Sequence, residues 1–177
     1  MARTASISPQ DVWIVMPAYN EEKYLSAVIK KTLRVTANIV LVDDGSRDST
    51  ALIARKYLAH VLRHEINLGK GAAMTTGTQY AFSHLGAKAV VFLDSDDQHD
   101  PREFHRFVEA FQTGSQVVFG VRKFSASQMP LLRFVGNKAI SIVVNLLYGG
   151  FIPDIPSGYK GLTKSAYHKI CWQSRGY

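Results

Sequence analysis

Carboxylate side chains cluster in a short acidic segment in which Asp94 and Asp96 are separated by one residue and followed by Gln98. Two carboxylates at this spacing can both turn toward one cation. Mg²⁺ and Mn²⁺ prefer oxygen ligands and usually keep water or substrate phosphate in their coordination shell. We therefore expect Asp94, Asp96 and Gln98 to bind a divalent cation, Mg²⁺ or Mn²⁺. The alternative is a solvated acidic turn before a helix, and helix capping is the role we expect for Asp100.

Two further polar segments offer binding chemistry. Asp43 and Asp44 are followed by Gly45, which permits a tight turn. An aspartate directly after a strand can accept hydrogen bonds from a nucleobase or ribose, although an ordinary turn with a helix cap explains the same residues. Lys70 lies in a glycine-rich segment, residues 67–71, that lacks the spacing of a P-loop. It is therefore either a phosphate ligand or a solvated lysine.

Short apolar runs precede these polar segments and predict the strands of a sheet. The predicted strands are residues 12–16, 39–42, 60–64, 89–93 and 116–121. Helices are predicted at residues 21–34, 48–58, 70–85 and from Pro101 onward. Pro17 is expected to end the first strand. The alternation predicts an α/β fold whose mostly parallel sheet is covered by helices on both faces, with the polar segments meeting at the carboxyl ends of its strands.

The pattern changes after residue 122. A polar loop is predicted at 123–130 and a helix at 132–148, in which Arg133 and Asn137 belong to one polar stripe. The apolar remainder of that helix suits a membrane interface, a buried helix or a contact between copies of the chain, and the sequence leaves these alternatives open. A strand pair or loop is predicted at 155–163 and a short helix at 164–172.

The composition describes a globular chain that we treat as one domain, residues 1–177, with 46% hydrophobic and 20% charged residues. The net charge of +7 suits anionic partners, but the basic residues are not interleaved with aromatic ones as nucleic-acid binding requires. The single cysteine, Cys171, excludes an internal disulfide. The histidines lack zinc-site spacing, and His99 is expected to support the acidic segment rather than bind metal. Neither a signal peptide nor a membrane-spanning helix is predicted.

Five motifs occur in the order and spacing of glycosyltransferase family 2, which the chain resembles over about residues 12–170. They are IVMPAYNEE (14–22), VDDGSRDST (42–50), NLGKGAA (67–73), DSDDQHDP (94–101) and GVR (120–122). The form of the acidic motif and the later SGYKGL (157–162) resemble the polyprenol-phosphate sugar transferases within that family, of the dolichol-phosphate mannosyltransferase type. Asp97 departs from the pattern, because a small or apolar residue is usual there.

The resemblance implies a GT-A fold with a Rossmann-like sheet, a nucleotide-diphosphate-sugar donor and a divalent cation on the D-x-D motif. By position, it assigns nucleotide-sugar binding to Pro17, Ala18, Tyr19, Glu21, Val42, Asp44, Asp94, Ser95 and Asp96. Asp43 and Lys70 are added to this set because of the chemistry of their own segments. It assigns the metal to Asp94, Asp96 and Gln98, and catalysis to Asp96 and Arg122. Arg122, Arg133 and Asn137 match positions that bind the acceptor phosphate.

The activity that follows is inverting transfer of a sugar, from a donor of the GDP-mannose or UDP-glucose type, to a polyprenyl or dolichyl phosphate. Such an acceptor is already an anion and needs mainly positioning, which fits the lack of an evident general base in residues 123–177. A hydroxyl or polysaccharide acceptor is one alternative, and a non-catalytic nucleotide-sugar-binding module is another. We expect a cytoplasmic protein at the cytoplasmic face of a membrane, with self-association left open. Family domains normally extend beyond the point where this chain ends, so we expect a C-terminally truncated domain.

Overall fold

A computed structural model describes residues 7–97, 99–120 and 159–170 of the chain. The strands are β1 (Val12–Ala18), β2 (Ile39–Asp43), β3 (His60–Arg63), β4 (Ala89–Phe92), β5 (Val117–Phe119) and β6 (Lys160–Thr163). The helices are α1 (Leu25–Leu33), α2 (Thr50–Tyr57), α3 (Lys70–His84), α4 (Phe104–Gln112) and α5 (Lys164–Ile170). The predicted loop at 123–130 and helix at 132–148 lie outside the described residues.

The strands of the described residues form one sheet in the order β3-β2-β1-β4-β6-β5. Strands β1 to β4 are parallel, and β6 runs antiparallel to both β4 and β5. The predicted mostly parallel α/β sheet is therefore confirmed. The register pairs Ala18 with Asp43, so that β1 and β2 end side by side. Strand β4 ends next to them, because Phe92 is paired with Val15.

Alternate residues of the central strands enter two apolar layers. Ile14 and Met16 of β1 pack with α1, α2 and α4 on one face, whereas Val15 packs with α3 and α5 on the other. The apolar side of α4 is buried as its spacing predicts, with Phe104, Phe107, Val108 and Phe111 all inside. Burial of each large apolar side chain contributes about 1.5–3 kcal/mol, so the strands are held firmly and their carboxyl ends keep a fixed geometry.

Strand β1 does not end at Pro17, as predicted, but continues to Ala18. The carbonyl of Val15 accepts the amide of Leu93 at 3.1 Å, and the carbonyl of Ala18 accepts the amide of Asp44 at 2.8 Å. The backbone groups of successive residues point to opposite sides of a strand, so the nitrogen of Pro17 points toward β4. The pairing of β1 with β4 has already ended there, at Val15 and Phe92. Its missing N–H is therefore tolerated.

Helix α1 begins at Leu25, four residues after the predicted start at Glu21. Asn20 has a φ of 56°, and the Glu21 amide donates to the side-chain oxygen of Thr50 at 2.8 Å. The carbonyl of Glu21 accepts the amides of Tyr24 and Leu25 in a turn that leads into the helix. Residues 21–24 are thus bound to the start of α2 instead of forming a first helical turn.

Candidate functional site

A cavity of about 230 Å³ opens at the carboxyl ends of β1, β2 and β4. It is lined by Pro17, Ala18, Tyr19, Glu21, Asp44, Lys70, Ala73, Asp94, Ser95 and Asp96. All the residues predicted to bind the nucleotide sugar therefore line one space, except Val42 and Asp43. Ala73 was not predicted, because an alanine in a helix carries no chemical signal.

The loops after β1 and β2 are hydrogen-bonded to each other at the side of this cavity. The Asn20 amide donates to Ser46 Oγ at 2.9 Å, and Asn20 Oδ1 accepts the Arg47 amide at 2.9 Å. The Glu21 amide adds its bond to Thr50. These bonds fix the backbone on either side of the Glu21 side chain and keep both loops at the sheet edge.

The two consecutive aspartates at the end of β2 do different things. Asp43 is fully buried, contacts Arg63 Nε at 3.1 Å and accepts the Ser46 amide at 3.1 Å. Val42, one residue earlier, is likewise fully buried in the core. Both therefore support the loop from behind and do not reach the cavity.

Asp44 lines the cavity but is already bound to the glycine-rich segment. One carboxylate oxygen lies 2.6 Å from His64 Nδ1 and accepts the Leu68 amide at 3.0 Å, while the other accepts the Gly69 amide at 2.8 Å. The other ring nitrogen of His64 lies 3.0 Å from Thr76 Oγ1. Asp44 thereby fixes the backbone directly before Lys70. Sequence reasoning missed His64, which stands apart from the recognised motifs.

Negative charges crowd the acidic side of the cavity. Burial raises the pKa of Glu21 above its usual value, and the charges of Asp96, Asp48 and Asp94 raise it further. Ser95, between the two motif aspartates, is buried and donates to the carbonyl of Pro17 at 3.0 Å. This bond joins the acidic segment to β1 and leaves Asp94 and Asp96 beside Glu21.

Two lysines provide positive charge near Asp94. Lys70 Nζ lies 2.7 Å from one carboxylate oxygen and 2.8 Å from the other. Lys160, paired with Phe92 across β4 and β6, is partly buried. Burial lowers the pKa of Lys160, the charge of Lys70 lowers it further, and Asp94 opposes both effects. Lys160 was missed as a site residue, although it lies in the SGYKGL motif, because nothing local marks that segment as a neighbour of β4.

The unusual Asp97 turns away from this cavity. Its φ is 63°, and its carboxylate is bound by Lys31 Nζ of α1 at 2.6 and 2.8 Å. Both residues line a separate cavity of about 650 Å³ that also includes Arg34 and His99. His99 is buried, with Nε2 at 3.9 Å from Asp94 Oδ2. The extra negative charge of Asp97 is therefore directed to α1.

Four predicted site residues fall outside the part of the chain that the structure describes. They are Gln98, Arg122, Arg133 and Asn137. Their assignments to the metal and to the acceptor phosphate stay predictions from sequence. Among the helices of the described ranges, none combines the length and apolar character needed to span a membrane.

Comparisons with known proteins agree with the motif analysis. The family model for glycosyl transferase family 2 matches residues 13–170. The UDP-N-acetylglucosamine–dolichyl-phosphate N-acetylglucosaminyltransferase of Methanococcus voltae is 32% identical, over 93% of this chain and 74% of its own length. The dolichyl-phosphate hexose transferase of Haloferax volcanii is 32% identical, over 92% and 70%. The polyprenol monophosphomannose synthase of Mycolicibacterium smegmatis is 28% identical, over 98% and 71%.

A solved structure shows the same fold. Glucosyl-3-phosphoglycerate synthase of Mycobacterium tuberculosis, in complex with Mn²⁺, UDP-glucose and phosphoglyceric acid, superposes with a TM-score of 0.68 at 24% identity. The superposition covers 87% of this chain and 57% of that protein, so this chain spans little more than half of its neighbour's length. The expected GT-A fold is confirmed. With the fold, the ordered motifs and the family model in agreement, the chain belongs to glycosyl transferase family 2.

Proposed function

We propose that this chain transfers a sugar from a nucleotide-diphosphate sugar to a polyprenyl phosphate, with the help of a divalent cation at Asp94 and Asp96. The observation that carries the proposal is the convergence of Glu21, Asp94, Asp96 and Lys70 on one cavity at the carboxyl ends of the parallel strands. Open parallel sheets bind their ligands at this edge. Carboxylates beside a lysine suit a ligand that combines a metal ion with phosphates.

The described residues fit a metal that takes few protein ligands. Within the described ranges, no group of three or more His, Cys, Asp or Glu side chains is arranged to enclose an ion. Asp94 Oδ1 is nevertheless buried, and its neighbour at 2.7 Å is the ammonium of the half-exposed Lys70, which can give way to a cation. Burial raises the pKa of Glu21 beside it, and the charges of Asp96, Asp48 and Asp94 raise that pKa further. Mg²⁺ and Mn²⁺ suit such a site because substrate phosphate completes their coordination.

When bound, the cation would neutralise charge that develops on the departing diphosphate. An oxygen of the acceptor phosphate attacks the anomeric carbon as the bond from that carbon to the diphosphate oxygen breaks. The nucleoside diphosphate leaves with the electron pair. Because the acceptor phosphate is already an anion, no proton has to be removed from the nucleophile. Asp44 holds the backbone before Lys70, and Lys70 and Lys160 supply positive charge beside the leaving group.

The acceptor assignment rests on relatives whose names specify dolichyl phosphate or polyprenol. We assign its phosphate to Arg122, Arg133 and Asn137, whose side chains can form charge-assisted and neutral hydrogen bonds to phosphate oxygens. A lipid acceptor would bring the reaction to a membrane surface, which we take to be the cytoplasmic face. The net charge of +7 favours contact with anionic headgroups.

A transfer assay with radiolabelled UDP-glucose, UDP-N-acetylglucosamine and GDP-mannose tests this function. Each donor is incubated with Mn²⁺ or with excess EDTA, and with a short-chain polyprenyl phosphate or the matching polyprenol that lacks the phosphate. We expect label to enter the lipid fraction only with the phosphate and the metal. Equal transfer to the free alcohol would contradict the phosphate acceptor, and absence of transfer from every donor would favour a binding module.

A further inference from the structure

The ion pair between Lys70 and Asp94 joins two residues that a substrate complex would need separately. Lys70 Nζ contacts both carboxylate oxygens, at 2.7 and 2.8 Å, and so covers the oxygens through which Asp94 would meet a cation. The lysine side chain is 47% exposed, whereas that of Asp94 is 16% exposed. The lysine can therefore move into solvent or toward a ligand, and the carboxylate cannot.

The position of Lys70 in its helix does not favour a positive charge. Lys70 is the first residue of α3, where the helix dipole is positive and anions are preferred. Gly69 before it has a φ of 92° and is fixed by the Asp44 carboxylate at 2.8 Å. Lys160 adds a second positive charge close by. Asp94 compensates the charge of Lys70 here, so a cation that took over the carboxylate would leave Lys70 free to meet an anionic ligand.

We propose that Lys70 is an exchangeable counter-cation of Asp94: it neutralises the carboxylate before substrate arrives, yields it to the divalent cation and then binds the donor diphosphate. This inference rests on the proposed function, because it requires a cation at Asp94. It adds that the lysine and the metal compete for one carboxylate. The step forms and breaks ionic contacts only, and no proton is transferred in it.

Competition predicts effects of opposite sign when the lysine is removed. Lys70→Met frees the Asp94 carboxylate, so binding of Mn²⁺ alone should tighten by about two- to fivefold, the range expected for a partly exposed ion pair. The same change removes a cation from the diphosphate, so UDP and GDP should bind more weakly in saturating Mn²⁺, by about three- to tenfold. If Lys70 only held the loop in place, its removal would weaken the binding of both Mn²⁺ and the nucleotides.

The chain offers a matched control at the other end of the sheet. Lys88 Nζ contacts Asp11 at 3.1 Å, and the two side chains are 45% and 21% exposed, close to the values of the Lys70 pair. Lys88→Met therefore removes a comparable ion pair far from the cavity. Lys70→Arg keeps the positive charge and should retain most of the competition. Circular dichroism and thermal unfolding verify that each variant is folded.

The experiment measures free Mn²⁺ by electron paramagnetic resonance during titration of the wild type and the three variants. Titrations are made without nucleotide, and UDP and GDP affinities are then measured at saturating Mn²⁺. Tighter metal binding together with weaker nucleotide binding in Lys70→Met alone supports the exchange. Unchanged or weaker metal binding in Lys70→Met overturns it, even if the wild type binds Mn²⁺ and the proposed function stands. Absence of Mn²⁺ binding in every protein, with and without nucleotide, overturns both.

Discussion

Each end of the parallel sheet has a lysine–aspartate ion pair, but only at the carboxyl end do further carboxylates share a cavity with that pair. At the amino end, Asp11 pairs with Lys88, and the side-chain amide of Asn38 donates to the carbonyls of Gln10 and Val12. These polar groups satisfy one another on the surface. At the carboxyl end, Glu21, Asp94 and Asp96 line a single cavity, and the pKa of Glu21 rises because of burial and neighbouring negative charge.

This difference distinguishes charges that stabilise the fold from charges that serve to bind a ligand. At the amino end, the local ion pair and hydrogen bonds contribute modestly to stability and do not require a ligand. At the carboxyl end Lys70 pairs with Asp94, yet burial and the neighbouring carboxylates still raise the pKa of Glu21, so a further cation would be favourable there. Concentration of unfavourable charge at one edge is typical of binding sites, where stability is given up for function.

The largest expected contrast is between Asp96→Asn and Asp11→Asn. Asp96→Asn should weaken Mn²⁺-dependent nucleotide binding by at least about a hundredfold, because even outer-shell partners of a metal contribute about 10–100-fold. Asp11→Asn should leave that binding unchanged and lower the free energy of unfolding by about 0.5–1 kcal/mol through loss of its surface ion pair. Calorimetry and urea denaturation measure the two quantities. Equal nucleotide affinity in both variants would remove the distinction between the ends.

Glycines at the two ends give the next contrast. Gly45 and Gly86 have similar φ values, 71° and 67°, so alanine is strained at both. A Cβ at Gly45 would lie 2.6 Å from the carbonyl carbon of Ile66 and 2.8 Å from the nitrogen of Asn67, whereas at Gly86 nothing lies within 4 Å.

Gly45→Ala should therefore lower the free energy of unfolding by about 2–4 kcal/mol, and Gly86→Ala by about 1 kcal/mol. Urea denaturation of both variants measures the difference. Equal losses would mean that the loop after β2 can move away from residues 66–67 without cost.

The smallest effect concerns Glu21. Its pKa is raised in the folded chain, so the stability it contributes is fully present below its unfolded pKa and is lost as the pH rises through the folded value. Glu21→Gln should then raise the melting temperature at pH 7 by roughly 1–3 °C and change it less at pH 4. Scanning calorimetry at both pH values measures the shift, with exposed Glu65→Gln as the control for loss of one charge. A larger rise in melting temperature at pH 4 than at pH 7 would contradict the raised pKa of Glu21.

Much of the fold follows from short-range patterns in the sequence. Apolar runs identified the parallel strands, and the rule that their carboxyl ends share one edge brought Asp44 and Asp94 to one cavity. What failed depends on contacts between distant segments. The start of α1 shifted because Glu21 binds Thr50, and β1 passed through Pro17 because its ladder with β4 had ended.

The site shows the same division. Sequence motifs named almost every residue that lines the cavity, but they did not distinguish Asp43, buried against Arg63, from Asp44, which holds the glycine-rich segment. Lys160 escaped notice because its proximity to Asp94 arises only when β6 pairs with β4. Neighbour relations across a sheet are set by tertiary packing, which local residue patterns do not encode.

The most direct test of the central claim is isothermal titration calorimetry of UDP and GDP against this chain, in Mn²⁺ and then in excess EDTA. The proposed cation at Asp94 and Asp96 predicts that at least one of the two nucleotides binds with Mn²⁺ and that its affinity collapses in the chelator. Binding of equal strength in EDTA would contradict the account, because nucleotide binding would then not require a cation at the acidic edge of the sheet.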